Sequence, residues 1–156
     1  MNPAEEIVKF WLQQNGYFVQ SSIKVGRKEI DILAIHSVNQ SDRRHIEVQV
    51  SVSPLATEPP DKEAHDYYEK KFKDPTIEEE IRKRFGSDLP YAREIVKGEV
   101  RYRGRDCFKL FSDECQTLGI TVVPFSTVLR EMTDTVGTGS QLNPIIKTVE
   151  LCKKFL

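Results

Sequence analysis

The sequence predicts an α/β fold, in which helices pack on a mixed central sheet whose first three strands form an antiparallel meander. Three observations carry that expectation. An apolar stripe at helical spacing opens the chain: Ala4, Ile7, Val8, Trp11 and Leu12. Three strand-like runs follow, joined by turns too short for a crossover, which imposes antiparallel pairing. Later strand-like runs are each preceded by a helical stretch, which allows right-handed crossovers onto the same sheet.

Asn2 suits the cap and Pro3 the first position of a helix running to about Asn15, and Asn15-Gly16 suits its stop. Tyr17-Phe18-Val19 with Ser21 and Ile23 reads as a strand, Val25 to Lys28 as a turn, and Glu29 to His36 as the next strand. After a polar turn, Arg44 to Val52 alternates, with Ile46, Val48, Val50 and Val52 on one side and His45, Glu47, Gln49 and Ser51 on the other. Pro54, Pro59 and Pro60 break the pattern, and a charged helical stretch runs from Asp61 to Phe85. Its second half is marked by Asp74 as cap, Pro75 at the first position, acids early, bases late and Gly86 beyond the end. Glu78/Arg82, Glu79/Lys83 and Glu80/Arg84 stand four apart and support it. Ile95 to Arg103 is predicted as a strand, Asp106 to Leu118 as a helix stopped by Gly119, and Ile120 to Val123 as a short buried strand. Ser126 to Met132 reads as a short helix, Thr135 to Gln141 as a loop, and Asn143-Pro144 as the start of a last helix to Phe155. One domain over residues 1–156 is expected, with the charged helical insertion at about 53–92.

Composition narrows the function only broadly. With 38% hydrophobic and 30% charged residues the chain reads as a soluble globular protein. A net charge of −1 gives no global attraction to nucleic acid, so any such binding needs a local basic patch. Cys107, Cys115 and Cys152 are odd in number and lack zinc spacing, which fits a reducing, cytoplasmic setting. No apolar run has the length of a membrane span, and no secretory signal is visible.

The chemistry-bearing residues lie on the second and third strands. Asp31 stands on one, and Glu47 with Gln49 on the other, projecting from the same side. Acids inside apolar strands pay for desolvation unless paired or bound to metal. Converging carboxylates are how a protein holds a hard divalent cation, and such a cation activates water against a phosphodiester.

The helix Ala4-Glu5-Glu6-Ile7-Val8 through Gly16-Tyr17, the strand Glu29-Ile30-Asp31-Ile32-Leu33-Ala34 and the strand His45-Ile46-Glu47-Val48-Gln49-Val50 together resemble the PD-(D/E)xK nuclease superfamily. The likeness covers about residues 3–52 by motif and the remainder by order of elements. It implies a restriction-endonuclease-like sandwich, with Asp31 and Glu47 as ligands of Mg²⁺ (or Mn²⁺) and a first-helix acid, Glu5 or its neighbour Glu6, assisting. It implies metal-dependent cleavage of DNA, with RNA left open as a partner, and small nuclease folds of this kind often act as homodimers. The departure is Gln49, where the superfamily carries Lys. Gln can position a water but brings no charge. Some members with Glu or Gln here still cut, and others keep the fold as a binding module. Lys28, Lys70 and Lys71 are the cations that compensation would draw on.

Other candidates are weaker. Lys97, Glu99, Arg101 and Arg103 alternate, with Arg105 and Lys109 close behind, so Lys97, Arg101, Arg103 and Arg105 form a candidate phosphate-binding cluster. An exposed strand face guarded by charge explains the same pattern. Tyr67, Tyr68 and Phe72 interleave with Lys70, Lys71 and Lys73, which suits a nucleic-acid surface or the buried side of an amphipathic helix. Three functions follow: a metal-dependent nuclease, a silent nuclease fold that binds nucleic acid, and a protein-interaction module that uses the charged insertion.

Overall fold

A computed structural model describes residues 2–51, 58–86 and 88–135. Asn2 starts the fold: its side chain accepts the Glu5 backbone N–H at 3.0 Å, and Pro3 takes the first helical position. Such a cap is worth about 1 kcal/mol. Helix α1 (Pro3–Gln14) then buries Ala4, Val8 and Leu12. Gly16 ends the turn in the left-handed region at φ 85°, and a Cβ there would stand 3.3 Å from His36 Nε2.

The meander follows as β1 (Tyr17–Val25), β2 (Lys28–His36) and β3 (Arg43–Gln49), antiparallel throughout. The insertion supplies α2 (Pro60–Tyr67) and α3 (Pro75–Phe85). Between them Tyr68–Phe72 forms a π-helical turn, closed by the Lys73 N–H donating to the Tyr68 carbonyl at 2.8 Å. Then come β4 (Ala92–Lys97), a small hairpin of β5 (Arg101–Tyr102) and β6 (Arg105–Asp106), α4 (Phe108–Thr117), β7 (Ile120–Pro124) and α5 (Phe125–Thr135). The main sheet has the order β1-β2-β3-β4-β7, with β3, β4 and β7 mutually parallel. This is the mixed α/β sheet expected from the sequence.

Both faces of the sheet are covered. Ile32, Ala34, Ile46, Val48 and Val96 pack against α1 and α5. On the other face Ile95 and Ile120 meet α2 and α4, while Ile23, Ile30 and Leu33 meet α3. His45 and Glu47 alternate with Ile46 and Val48, so they enter this second layer rather than water. Among the described residues no helix is long and apolar enough to cross a membrane.

The structure corrects several expectations. The strand predicted over Ile95 to Arg103 ends at Lys97. The Gly98 N–H donates to the Gln49 carbonyl at 2.9 Å, Val100 turns into the α2–α4 layer, and Cys107 N–H closes on the Val100 carbonyl at 2.7 Å. The chain therefore folds back at Arg103 and Gly104, both at positive φ (49° and 75°), as a two-residue hairpin turn of the mirror-image kind. In α3, Glu79 pairs with Lys83 and Glu80 with Arg84 as expected, but Glu78 reaches Arg93 at 3.1 Å instead of Arg82. Helix α4 starts two residues later than predicted, and α5 extends beyond both predicted ends. Residues 136–141 of the predicted loop and the predicted last helix lie outside the described residues.

Candidate functional site

The site forms where the β2–β3 ladder parts. The two strands pair through Ile32 opposite Ile46, and the next rung would set Asp31 opposite Glu47. There the side chain replaces the backbone: Asp31 Oδ2 accepts the Val48 N–H at 2.8 Å. Asp31 is 8% exposed and Glu47 is fully buried, so two carboxylates share a space that water scarcely enters. Burial, with the Glu47 charge next, pushes the Asp31 carboxyl up to about 7; the Val48 N–H and Lys71 oppose that shift, and Glu5 adds to it.

Glu47 is hydrogen-bonded at one oxygen and ion-paired, without hydrogen-bond geometry, at the other. His45 Nε2 lies 2.8 Å from Oε1, and Lys71 Nζ lies 3.0 Å from Oε2. The His45 ring packs 4.8 Å from that of Phe72, itself fully buried, and its Nδ1 is buried without a hydrogen-bond partner among the described residues. A ring placed this way donates from Nε2 and fixes the Glu47 carboxylate.

Of the two first-helix acids, Glu5 is buried and close enough to Asp31 for its charge to act there, whereas Glu6 is half-buried. Asn2 Nδ2 donates to Glu5 Oε1 at 2.7 Å, and Glu5 Oε2 is buried with no hydrogen-bond partner among the described residues. Gln49 lies two residues beyond Glu47 at the strand end, half-buried and in register with Lys97 of β4. Glu5, Asp31, Glu47 and Lys71 thus form one cluster, with Gln49 at its margin. Among the described residues no group of three or more His, Cys, Asp and Glu side chains forms a ready-made metal cage.

The expected basic strand face does not exist as such. Lys97 is buried, pairs with Glu63 at 2.5 Å, and lies over the Phe111 and Tyr67 rings at 5.0 and 5.5 Å. It pairs with a helix acid where the α2–α4 layer meets the cleft at the strand ends, which it helps to line. The reason is the strand end at Lys97, which breaks the alternation that placed it with the arginines. Arg101, Arg103 and Arg105 are exposed on the β5–β6 hairpin, Arg101 with Glu99 at 3.1 Å and Arg103 over the Tyr102 ring. Beside them a cleft of about 720 Å³ opens at the carboxyl ends of β3, β4 and β7, with Val50, Gly98, Arg101, Phe108, Pro124 and Phe125 in its walls. Ligands of open α/β sheets bind at this edge, and Glu47 and Gln49 lie at the same end of β3.

The sequence named Asp31, Glu47 and either Glu5 or Glu6 as candidates, and the structure sets Asp31, Glu47 and Glu5 near one another and adds the partners of Glu47. His45 was visible as a same-face neighbour of Glu47. Lys71 was one of three lysines, and the π-helical turn that aims it has no sequence signature of its own.

No protein-family model matches the chain, and no curated protein matches its sequence. A crystal structure of a protein of unknown function, AF1548, superposes with a TM-score of 0.55, covering 95% of this chain and 79% of its own at 16% identity. The two chains share a fold. The structure of Pyrococcus furiosus SfsA in complex with Ca²⁺ is matched more loosely, at a TM-score of 0.33 and 13% identity over 74% of this chain and 51% of its own.

Proposed function

We propose that this chain is a divalent-cation-dependent phosphodiesterase of nuclease type, acting on DNA, with Asp31 and Glu47 as ligands of Mg²⁺ or Mn²⁺. The observation that carries the reading is the pair of buried carboxylates at the parted rung of β2 and β3. Like charges confined there are costly, as the raised Asp31 carboxyl indicates, and a dication removes the cost. The donor set fits Mg²⁺ in its usual mode, which takes one or two carboxylates and fills its other positions with water and substrate phosphate. The partnerless Glu5 Oε2 supplies a further acceptor for such a water.

When bound, the cation supplies a Lewis acid that eases ionisation of water at neutral pH and offsets charge on the phosphate. The protein's own groups do the rest. Asp31 is kept in place by the Val48 N–H, and Glu47 by His45. Gln49, at the strand end, is suited to orient the attacking water by hydrogen bonding. The water oxygen bonds to phosphorus, the phosphorus bond to the 3′-oxygen breaks, and a 3′-hydroxyl and a 5′-phosphate remain, with one proton released to solvent. The exposed arginines of the β5–β6 hairpin are suited to the flanking phosphates.

A second reading draws on Gln49 and Lys97. A neutral Gln at the strand end favours a catalytically silent module, and a Lys97 already paired with Glu63 favours a protein over nucleic acid as its partner. Cleavage of single- and double-stranded DNA with Mg²⁺ and with Mn²⁺ tests the choice. The nuclease reading expects metal-dependent cleavage by the wild type, lost in Asp31→Asn and in Glu47→Ala. Cleavage that persists at the wild-type rate in both variants would remove these residues from the reaction, and a wild type that never cuts would leave the silent module.

A further inference from the structure

The charge that Gln49 lacks is present on another element. Of the three lysines near the hairpin, Lys28 is engaged with Asp74, and Lys70 is 3.9 Å from Asp66 with its side chain 74% exposed. Lys71 points the other way. Its Nζ lies 3.0 Å from Glu47 Oε2 and 3.1 Å from the Glu29 carbonyl, and its side chain is only 29% exposed. The π-helical turn makes this possible. One extra residue in a turn rotates the helix face by about 100°. Phe72 thereby enters the core beside His45 while Lys71 overhangs the acids. Such turns are uncommon and recur at functional sites.

We propose that Lys71 is the cationic residue of this site. In the metal-free protein its ammonium stands at Glu47 Oε2 in place of the divalent cation, and in the loaded site it turns to the non-bridging oxygens of the substrate phosphate. The proposal rests on the phosphodiesterase reading. A buried carboxylate left without a positive charge is strongly destabilising, which explains why the ammonium occupies that position in the empty site. An ammonium and a dication at Glu47 Oε2 repel each other, so they compete for it. The flexible four-carbon stem lets the ammonium move without moving the helix. The phosphate oxygens then receive the point charge that the superfamily lysine would have delivered from position 49.

The test compares the wild type, Lys71→Met and Lys71→Arg in two assays, Mn²⁺ binding followed by calorimetry and cleavage of single- and double-stranded DNA. Removing the competitor is expected to tighten Mn²⁺ binding by roughly tenfold or more in Lys71→Met, because the buried Glu47 carboxylate is then left without a positive charge until the metal arrives. Cleavage by the same variant is expected to fall by about 100-fold, the size seen when one donor to a developing oxyanion is lost. Lys71→Arg, which keeps charge and bulk, is expected to hold Mn²⁺ as the wild type does and to recover part of the cleavage; it also serves if the Met variant folds poorly. Circular dichroism and urea unfolding establish that each variant is folded. A wild type that binds Mn²⁺ and cuts DNA, beside a folded Lys71→Met that cuts equally fast or binds Mn²⁺ no tighter, overturns the role of Lys71 alone. A wild type that neither binds Mn²⁺ nor cuts overturns the phosphodiesterase reading and this proposal with it.

Discussion

Replacing Asp31 by Asn is expected to stabilise the metal-free protein above neutrality and to remove a pH dependence from its stability. Asn keeps the shape and still offers an oxygen to the Val48 N–H, so the change is one of charge. The Asp31 carboxyl stands at about 7 in the folded protein against an ordinary 3.8, raised by burial and then by Glu47. A raised carboxyl favours folding while it is protonated. Its contribution is therefore fully present below the ordinary value and is lost as pH rises through the folded one. Linkage between those two values puts the loss between about pH 5.5 and about pH 8 at about 2 kcal/mol, and about 4 kcal/mol over the whole range. The assay is urea unfolding with a chelator present, wild type beside Asp31→Asn, across that pH interval. The wild type is expected to lose stability relative to the variant as pH rises. Saturating Mg²⁺ at the higher pH is expected to return much of that loss to the wild type alone. Parallel stability curves for the two proteins would mean instead that Asp31 ionises in the folded state as easily as in water.

Three other outcomes are expected. Gln49→Lys should recover part of the Mg²⁺-dependent cleavage lost in Lys71→Met, since it returns a positive charge beside the acids, and should change the wild type little; metal and DNA binding with no recovery of cleavage in the double variant would show that a charge at position 49 cannot serve the site. Phe72→Ala should cost about 3–5 kcal/mol in urea unfolding, because a fully buried ring is removed from between His45 and the α2–α4 layer; a loss under about 1 kcal/mol would mean that the π-helical turn is not anchored there. The Cys115 thiol is pushed up to about 12 by burial, with Glu63 adding to it, so the folded protein should resist iodoacetamide at that position until urea unfolds it; labelling of Cys115 at the rate of a free thiol, read by peptide mapping, would contradict its placement.

The meander and the acids on it were legible because their information is local. Period-two alternation puts Glu47 on the face opposite Ile46 and Val48, and the short turns leave antiparallel pairing as the only choice. The Asn2 cap, the Asp74 cap and the stops at Gly16, Gly86 and Gly119 were also readable, each from one or two residues. The parted rung at Asp31 was not, because it depends on a side chain outcompeting a backbone carbonyl for the Val48 N–H. The basic strand misled for a comparable reason. Alternation continues through Lys97, Glu99, Arg101 and Arg103, but the Arg103-Gly104 turn and the burial of Val100 reverse the chain, and both are decided by tertiary packing. Lys71 rather than Lys70 meets Glu47 because of a π-helical turn, and the sequence of that turn reads equally well as ordinary helix.

Whether Asp31 and Glu47 hold a divalent cation is read most directly from a crystal of the wild type soaked in Mn²⁺ and measured for anomalous scattering. One strong anomalous peak is expected between the Asp31 and Glu47 carboxylates, with the Lys71 ammonium moved off Glu47. A map with no peak there, and with Lys71 still seated on Glu47 while Mn²⁺ is bound elsewhere or not at all, would contradict that placement.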